Sequence, residues 1–259
     1  MIFEIAGTTH VGLIRNNNED NLLFTEISAG LWLLAVADGV GGNNFGEVAS
    51  QTAVDEFIAL VESGKLLEAR DPALRELLLE MAVQRAHLSI ANKARDNRDY
   101  AGMACALTAV IVDEHAGCLA QVGDTRLYHW SLGVGLTQLS QDQTVAVQLV
   151  ERGQITEAEA ETHPDRNVLA QALGIESVGG ALKTAMLSFE WSVGDRLLLC
   201  SDGLSNMASN EQMAAILSAS NSPEQAVDRL IDTALAGGGR DNITVVVATV
   251  VSSEEDITA

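Results

Sequence analysis

Residues 31–50 read LWLLAVADGVGGNNFGEVAS, and this stretch decides the fold. Its first seven residues are all apolar, a pattern typical of a β-strand that is buried on both faces. The run stops at Asp38, and four of the next eight residues are glycine. From Gly46 onward, apolar residues recur with helical spacing as far as about Val61. The stretch therefore predicts a buried strand that ends on a carboxylate, a glycine-rich turn and an amphipathic helix.

The rest of the chain alternates short β-rich segments with capped helical segments. We predict strands at residues 2–6, 22–26, 31–37, 107–112, 118–122, 126–130, 185–189, 196–201 and 243–251. We predict helices at residues 46–61, 72–93 and 223–236, and shorter ones behind the caps Thr156 and Ser209. Only residues 113–117 separate two of the strands, which is too few for a crossover helix and indicates an antiparallel hairpin. The pattern predicts an α+β protein in which packed antiparallel strands are covered by helices.

The composition excludes some classes of binding partner and indicates the cellular compartment. The chain has 259 residues, with 15 Lys and Arg against 36 Asp and Glu, for a formal net charge of −21. Such an acidic protein is not expected to bind nucleic acid or an anionic lipid surface, because both need basic groups. The three cysteines form no CxxC pair, the first residues lack the pattern of a signal peptide, and no apolar run could span a bilayer. We therefore expect a cytoplasmic protein without membrane insertion.

Carboxylates stand at the ends of five predicted strands, as Asp20, Asp38, Asp124, Asp202 and Asp241. Each of them alone is compatible with an ordinary turn, since Asp-Gly is a common turn dipeptide. Taken together, they would converge if strands from two sheets ended on the same side. Converging carboxylates repel one another and lose hydration, so they need cations. A set of oxygen ligands without His or Cys favours Mg²⁺ or Mn²⁺ over zinc.

The glycine-rich turn after Asp38 does not fit a nucleotide-binding loop. Gly41 and Gly46 have the spacing of the Walker A glycines, but Glu47 and Val48 stand where Lys and Ser or Thr are required. A dinucleotide fingerprint is excluded as well, because its third glycine is missing. The remaining explanation for the glycine-rich turn is that glycine lets a main-chain carbonyl approach a metal ion closely.

Six motifs follow one another in an order that is found in a known family. They are Gly12-Leu-Ile-Arg15-x-x-Asn18-Glu19-Asp20, Val36-Ala-Asp38-Gly39-x-Gly41-Gly42-x-x-x-Gly46-Glu47-x-Ala49-Ser50, Gly123-Asp124-Thr125-Arg126-x-Tyr128, Leu139-Ser140-x-Asp142, Gly194-Asp195-x-Leu197-Leu-Leu-Cys200-Ser201-Asp202-Gly203-Leu204 and Gly238-Gly239-Arg240-Asp241-Asn242-Ile243-Thr244. One such motif would be weak evidence, whereas six in order are specific. In these residues the chain resembles the bacterial metal-dependent Ser/Thr protein phosphatases, the PPM or type 2C family, over nearly its whole length.

The resemblance implies a fold, a reaction and partners. The fold is a single domain over residues 1–259, a four-layer α-β-β-α sandwich of two antiparallel sheets flanked by helix pairs, with a flap subdomain at about residues 143–173. The reaction is the hydrolysis of phospho-Ser/Thr by a hydroxide that bridges two tightly bound Mn²⁺ or Mg²⁺ ions, with a third ion bound weakly. The partners are phosphorylated proteins, including a cognate Ser/Thr kinase, and we expect a monomer.

The resemblance also assigns metal ligands. Asp38 matches the carboxylate that bridges both metal ions, and Gly39 matches the residue whose carbonyl binds one of them. Asp202 and Asp241 match ligands of the other ion. Asp124 resembles the acid that joins Asp202 at the weaker third site.

Four further residues receive roles around these ligands. Arg15 matches the arginine that binds the substrate phosphate, which suits a guanidinium because its two N–H prongs meet two phosphate oxygens. Asp20 resembles an outer-shell acid that holds metal-bound water. Glu19 and Asn242 are placed in the same outer shell.

Two departures from the family pattern leave a second interpretation open. The family usually has Met-Gly-Thr-Thr before its central strand, where this chain has Met103-Ala-Cys-Ala106. Bacterial members commonly have His where Asn43 stands, and that His is implicated in protonating the leaving alkoxide. The alternative is a weakly active or inactive member that binds phosphoproteins as a regulatory module. The sequence does not choose between Mn²⁺ and Mg²⁺ or identify the physiological substrate.

Overall fold

Two antiparallel sheets form the middle of the molecule. The structure, a computed structural model, describes residues 2–40, 45–69, 71–175 and 181–251. Its strands are β1 Ile2–His10, β2 Asp20–Ser28, β3 Leu31–Val40, β4 Ala104–Val112, β5 Ala116–Val122, β6 Arg126–Ser131, β7 Gly135–Gln138, β8 Ala185–Glu190, β9 Arg196–Cys200 and β10 Ile243–Val251. Its helices are α1 Gly46–Glu62, α2 Lys65–Glu68, α3 Pro72–Asp96, α4 Val145–Glu151, α5 Glu157–Glu161, α6 Asp202–Ser205, α7 Asn210–Ala219 and α8 Pro223–Ala236.

The sheets and helices are arranged in four layers. The first sheet has the strand order β1-β10-β9-β6-β7, and the second has the order β2-β3-β4-β5-β8. Neighbouring strands run antiparallel throughout both sheets. Helices α1 and α3 pack on the second sheet, and α7 and α8 pack on the first. The predicted fold class, an α-β-β-α sandwich, is confirmed.

Strand β3 is buried on both faces, as its unbroken apolar sequence predicted. Leu33, Ala35 and Ala37 pack into the core that includes residues of α1 and α3. Leu34 and Val36 point the other way and pack between the two sheets. Burying one Leu or Val side chain stabilises a fold by about 1.5–3 kcal/mol. Helices cover one face of β3 and the other sheet covers the opposite face, so neither face is exposed to water. The strand sequence therefore does not alternate between apolar and polar residues.

The predicted helix starts are confirmed by their caps. Asp71 accepts a hydrogen bond from the Ala73 N–H, and α3 begins at Pro72. Reciprocal capping boxes begin α5 at Thr156 and α7 at Ser209. Each cap gives an otherwise unpaired N–H of the first helical turn a partner, which is worth about 1 kcal/mol.

The structure also differs from the sequence-based elements. Strand β7, with four residues, and the short helices α2 and α6 were not predicted, because segments this short show little periodicity. Strands β1 and β3 are longer than predicted, since His10 pairs with Ile243 and Val40 pairs with Ala104 at their far ends.

Over the described ranges, no helix is both long and apolar enough to cross a membrane.

The predicted flap, residues 143–173, contains α4 and α5. Near its first end, the Gln143 N–H donates to the Gly123 carbonyl at 2.8 Å. Near its second end, Leu173 and Cys105 exchange two backbone hydrogen bonds of 2.8 and 3.1 Å. Helix α5, between these ends, has no buried residue. The division of the chain into one domain with a flap subdomain stays a prediction.

Candidate metal centre

The five aspartates lie at the same end of the two sheets. Asp20 begins β2 and stands directly opposite Asp38 of β3 in the antiparallel register. Asp124 lies in the turn between β5 and β6, Asp202 opens α6 after β9, and Asp241 comes just before β10. Burial raises the pKa of Asp38 well above its usual range, and the charges of the other four raise it further. The structure therefore brings all five within electrostatic reach of one another.

The carboxyl groups are strongly shifted by burial and by mutual repulsion. Burial raises the pKa of Asp20 to about 7, of Asp202 to about 6 and of Asp124 to about 8, and negative neighbours add to each shift. The positive charges of Arg126 and Arg15 act against the shift at Asp202 but do not cancel it. These groups cannot all be ionised near neutral pH without further positive charge, which metal cations would supply.

The carboxylates do not enclose an ion by themselves. Among residues 2–40, 45–69, 71–175 and 181–251, no three His, Cys, Asp or Glu side chains come close enough together to hold one metal ion. Mg²⁺ is usually bound through one or two carboxylates and keeps several waters, and Mn²⁺ accepts the same oxygen ligands. An open, oxygen-rich set therefore fits the hard divalent cations that the family resemblance implies.

Gly39 and Gly46 touch where β3 ends and α1 begins. A Cβ added to Gly39 would lie 2.2 Å from the Gly46 carbonyl oxygen, and one added to Gly46 would lie 2.7 Å from the Gly39 carbonyl oxygen. Side chains do not fit at such distances, so close packing requires glycine at both positions. This is a second reason for glycine here, besides the predicted access of a carbonyl to a metal. Gly41, Gly42 and Asn43 lie outside the described residues.

Asp20 is held by a directional chain of hydrogen bonds. Its Oδ2 accepts from the hydroxyl groups of Ser201 and Thr244, both at 2.7 Å. Because the Thr244 hydroxyl donates to Asp20, it accepts from the Thr9 hydroxyl at 2.7 Å. The Thr9 hydroxyl in turn accepts from the Asn18 amide at 2.8 Å. Among the described residues the Oδ1 of Asp20 has no partner, which suits the predicted contact with water.

Asn242 organises the loop that carries Arg15. Its side-chain amide donates to the carbonyl oxygens of Val11 and Asn17, both at 2.9 Å. Its Oδ1 accepts from the Glu19 N–H at 2.8 Å. Asn242 thereby joins the start of β10 to both ends of the loop. The sequence predicted an outer-shell role for Asn242, and the structure gives it these positioning contacts.

Glu19 is buried and accepts a hydrogen bond at the start of helix α1. Its carboxylate accepts a hydrogen bond from the Gly46 N–H, and burial raises its pKa. Phe45, the residue before α1, makes no side-chain cap, so the acceptor at this helix start comes from a distant part of the chain. An anion at a helix N-terminus is stabilised by about 0.3–1 kcal/mol. The predicted outer-shell role of Glu19 stays a prediction.

Arg15 lies beside Asp241. Its Nη2 donates to Asp241 Oδ2 at 2.8 Å, and the two side chains are 42% and 37% exposed. The loop around it is packed tightly, since the Leu13 N–H donates to the Gly239 carbonyl at 2.7 Å. Gly12 has a left-handed φ of +82°, and a Cβ there would lie 2.2 Å from the Asp241 carbonyl oxygen. The backbone is therefore fixed while the guanidinium stays accessible to a ligand.

The segment Met103-Ala-Cys-Ala106 forms a buried floor beneath Asp38. Ala106 lies opposite Asp38 across the β3–β4 ladder, and all four residues of the segment are buried. The Cys105 thiol donates to the Ala106 carbonyl at 2.9 Å, and burial raises the pKa of this thiol well above its ordinary value. The floor is therefore apolar apart from a neutral thiol, in place of the two hydroxyl groups usual in the family.

A cleft of about 490 Å³ separates α4 and α5 from the aspartates. Asp124, Asp202 and the flap residue Arg166 are among the residues that line it. Arg126 and Asp142 form an ion pair of 2.6 Å in its wall. Both residues stand in motifs of the sequence, but neither motif gave them a role. Prediction of β7 would have placed their two segments side by side, because the β6–β7 hairpin pairs Tyr128 with Gln138.

Fold and site together define a class of protein. A sandwich with clustered carboxylates at one end and an accessible arginine beside them is suited to metal-assisted chemistry on a phosphate ester. The chain belongs to the protein phosphatase 2C family, whose model matches residues 7–236. Enzymes of this family depend on metal ions.

Similar proteins cover nearly all of this chain. It is 39% identical over 256 residues to the serine/threonine protein phosphatase PstP of Mycobacterium tuberculosis, a match that covers 97% of this chain and 46% of that protein. It is 35% identical over 251 residues to the serine/threonine phosphatase stp of Listeria monocytogenes, covering 96% of this chain and 95% of that one. The chain thus spans about half the length of the mycobacterial relative and nearly all of the listerial one.

Solved structures share the whole sandwich. The serine/threonine phosphatase of S. agalactiae matches with a TM-score of 0.87 at 30% identity, covering 96% of this chain and 100% of that one. The catalytic domain of PstP in complex with two manganese ions matches with a TM-score of 0.80 at 35% identity, covering 96% and 99%.

Proposed function

We propose that the protein hydrolyses phosphoserine and phosphothreonine in other proteins with the help of divalent metal ions. The observation that carries the proposal is the convergence of five aspartates next to Arg15 at one end of the sandwich. Relatives that cover nearly all of this chain and bear the names of serine/threonine phosphatases support it.

Five residues would hold the ions. Asp38 would contact both tightly bound ions, and the Gly39 carbonyl would contact one of them. Asp202 and Asp241 would bind the other, although together with Asp38 they are not yet close enough to enclose one ion, so binding would have to draw these side chains together. Asp124 would join Asp202 at a third, weaker site. The ions would be Mn²⁺ or Mg²⁺, since the candidate donors are all oxygen atoms.

The remaining chemistry belongs to the chain's own residues. Two divalent ions, when bound, supply Lewis acidity and lower the pKa of water in the site. Arg15 would exchange its bond with Asp241 for bonds to two phosphate oxygens, and its packed loop would hold the phosphorus in one place. Asp20, fixed by Ser201 and Thr244, would accept a hydrogen bond from water through its Oδ1.

A covalent cysteine mechanism does not fit this chain. Cysteine-dependent phosphatases resemble Cys-x5-Arg, and no cysteine here is followed by Arg six residues later. Cys105, Cys118 and Cys200 are all buried, and burial raises the pKa of each thiol. A buried neutral thiol is a poor nucleophile. The proposed reaction therefore runs without a phosphocysteine intermediate.

Of the proposed partners, phosphorylated proteins follow from the reaction, and the cognate kinase is carried over from the family resemblance. Substrates would be phosphorylated proteins, including a cognate Ser/Thr kinase, and the protein would act as a monomer in the cytoplasm. The acidic composition argues against nucleic acid as a partner.

A second candidate is a weakly active member that binds phosphoproteins as a regulatory module. The buried floor without hydroxyl groups and the replacement of the usual His by Asn43 favour this reading. Intact Asp38, Asp202 and Asp241 favour the enzyme, because an inactive module has no need of metal ligands.

Turnover of a phosphothreonine peptide tests the proposal. The protein, stripped with chelator and then supplied with Mn²⁺ or Mg²⁺, should release phosphate only when an ion is present. Asp232→Asn, in an exposed residue of α8, serves as a control and should not change the rate. Binding of the peptide without any phosphate release, whether or not an ion is present, would favour the regulatory module instead. Full turnover in exhaustively chelated protein would contradict the proposed dependence on metal ions.

A further inference from the structure

The loop between β1 and β2 exposes two large apolar side chains, which we call the apolar ledge. Its members, Leu13 and Ile14, are 62% and 68% exposed and come directly before Arg15, the candidate phosphate-binding residue. Single exposed apolar residues are common on protein surfaces. Two in a row beside a polar site are more typical of a surface that binds a ligand.

The apolar ledge has no charged neighbour in its own loop other than Arg15. Residues 11–18 read VGLIRNNN, so Arg15 is the only charged residue among them, in a chain of which 20% is charged. Asn16 and Asn17, which follow Arg15, are exposed as well. The loop therefore presents apolar groups before the arginine and neutral amides after it. Such a surface would select a ligand side chain by its apolar area and not by its charge.

The backbone of the apolar ledge is held in place. The Leu13 N–H donates to the Gly239 carbonyl at 2.7 Å. The Asn242 amide donates to the carbonyl oxygens of Val11 and Asn17, both at 2.9 Å, so the loop is secured before and after the ledge. A surface whose backbone is already ordered loses little conformational entropy when it binds a ligand.

The two members of the ledge differ in how much they contribute to packing. Leu13 packs against the following loop, since a Cβ added to Gly239 would lie 2.9 Å from Leu13 Cγ. Ile14 is the more exposed of the two, so most of its surface is free to contact a ligand. Its branched Cβ restricts χ1, which leaves the side chain little freedom to lose. Burial of this surface against another apolar group would be favourable.

The position of the ledge indicates the substrate polypeptide as its occupant. Successive residues of an extended chain advance by only about 3.3 Å. A substrate whose phosphate is bound by Arg15 would therefore carry its neighbouring residues past the two residues that precede Arg15. The ledge is thus continuous with the proposed phosphate-binding site.

We propose that the apolar ledge binds a large aliphatic or aromatic side chain of the substrate, within two positions of the phosphorylated residue. The inference rests on the proposed function, because it takes Arg15 as the residue that binds the phosphate. The protein would prefer phosphoproteins with such a side chain over those with polar residues around the phosphorylation site.

The contact would act on binding and not on the chemical step. Neither Leu13 nor Ile14 has a group that could transfer a proton or bind an ion, so both are specificity-determining residues. An apolar contact that is equally strong in the ground state and in the transition state lowers KM and leaves kcat unchanged. The preference should therefore appear in KM.

A set of five phosphothreonine peptides tests the proposal. The reference peptide has Ser at the two positions on each side of the phosphothreonine, and each of the other four has one Leu among these positions. With saturating Mn²⁺, at least one Leu peptide should have a kcat/KM about 3- to 10-fold above the reference, as expected for partial burial of one Leu side chain.

A matched pair of variants separates apolar contact from shape. Ile14→Thr should reduce the preference for Leu to less than about twofold, because Thr places a hydroxyl on the ledge. Ile14→Val has nearly the shape of Thr without the hydroxyl and should keep most of the preference. Leu13→Asn should also reduce the preference, and circular dichroism shows whether the loss of its packing against Gly239 affects the fold.

Two controls show whether an effect is specific to the ledge. Nitrophenyl phosphate has no neighbouring residues, so its kcat/KM should be the same in the wild type, Ile14→Thr and Ile14→Val. Leu132 is 90% exposed in the turn after β6, about 20 Å along that strand from Arg126. Leu132→Asn should therefore keep the full preference for Leu.

The outcomes separate the ledge from the proposed function. A wild-type protein that dephosphorylates all five peptides with equal kcat/KM would overturn the ledge alone. A preference for Leu that survives Ile14→Thr combined with Leu13→Asn, or that is lost equally in Leu132→Asn, would overturn it too. So would an equal loss on nitrophenyl phosphate in Ile14→Thr, because the residue would then act by positioning Arg15. A wild-type protein that dephosphorylates none of the peptides would overturn both the ledge and the proposed function.

Discussion

Arg15 donates a hydrogen bond of 2.8 Å to Asp241, so the candidate phosphate-binding cation is paired with a candidate metal ligand. Both side chains are more than a third exposed, at 42% and 37%, which keeps this ion pair weak. A cation at Asp241 would compete for the same negative charge and release the guanidinium. Metal loading would thereby prepare Arg15 to receive a phosphate.

Replacement of Arg15 by Ala should weaken substrate binding more than it slows the chemical step. Hydrogen bonds to charged groups are worth about 1.5–3 kcal/mol, so KM for a phosphopeptide should rise by about 10- to 100-fold. The effect falls on KM if the contact is made mainly in the ground state. Steady-state kinetics with saturating Mn²⁺ measure both constants. Arg240→Ala, a change in a neighbouring exposed arginine, is the control, and an unchanged KM in Arg15→Ala would contradict the assigned role.

Asp38→Asn and Asp202→Asn should each abolish turnover while the fold survives. Loss of a residue that merely supports a metal ligand costs about 10–100-fold, so loss of a ligand itself should cost more. The metal-free variants should melt no lower than the wild type, because Asn resembles the uncharged, protonated form that burial and the neighbouring charges favour at both positions. Phosphopeptide turnover and thermal melting in chelator measure the two outcomes. A folded variant with a near-normal rate would show that the ligands are misassigned.

The metal-free protein should lose stability as the pH rises from about 5 to about 8. Asp202, Asp20 and Asp124 have folded-state pKa values of about 6, about 7 and about 8, above the ordinary value of about 3.9. Each group binds its proton more tightly in the folded state, so it stabilises the fold while protonated. That contribution is lost as the pH rises through the folded-state pKa. Saturating Mn²⁺ should remove most of this dependence.

Melting temperatures across this pH range, with chelator and with Mn²⁺, measure the effect. Asp232→Asn should leave both profiles unchanged, because Asp232 is exposed. A flat profile in chelator would contradict the repulsion inferred for the cluster.

Asn43→His should raise the rate on phosphoserine peptides and leave the rate on nitrophenyl phosphate nearly unchanged. The prediction rests on the family resemblance, since Asn43 lies outside the described residues. A serine alkoxide needs a proton as the P–O bond breaks, whereas nitrophenolate needs little help. General acid catalysis contributes about 10²–10⁴-fold where it is needed, and an amide cannot supply it. Measured kcat values for both substrates decide the matter, and equal effects on the two would remove position 43 from this role.

Local signals in the sequence predicted the elements that depend on local physics. The apolar run before Asp38 and the caps at Asp71 and Ser209 each involve neighbours in the chain, so pattern alone sufficed. The convergence of the aspartates followed once the strands were assumed to end on one side. The role of each aspartate in the candidate metal centre came from the family resemblance.

Contacts between distant segments could not be predicted in this way. The Asn242 side chain donates to the carbonyl oxygens of Val11 and Asn17, which lie more than 200 residues away in the sequence. The residues next to Asn242 in the sequence do not predict these contacts. Glu19 was placed with the metal shell, but its acceptor role at α1 depends on the close approach of two loops. Such contacts report the tertiary fold, and a single sequence carries no local trace of them.

Strand β10 pairs with β1 on one side and with β9 on the other, so the last described strand lies inside its sheet. The loop with Arg15 is secured by Asn242, at the entrance to the same strand. During synthesis, β1 has no partner until β10, more than 230 residues later in the chain, has emerged from the ribosome. Contacts of such long range also make folding slow. A chain that has not yet been extended through β10 therefore lacks both the partner of β1 and the Asn242 contacts that hold the Arg15 loop.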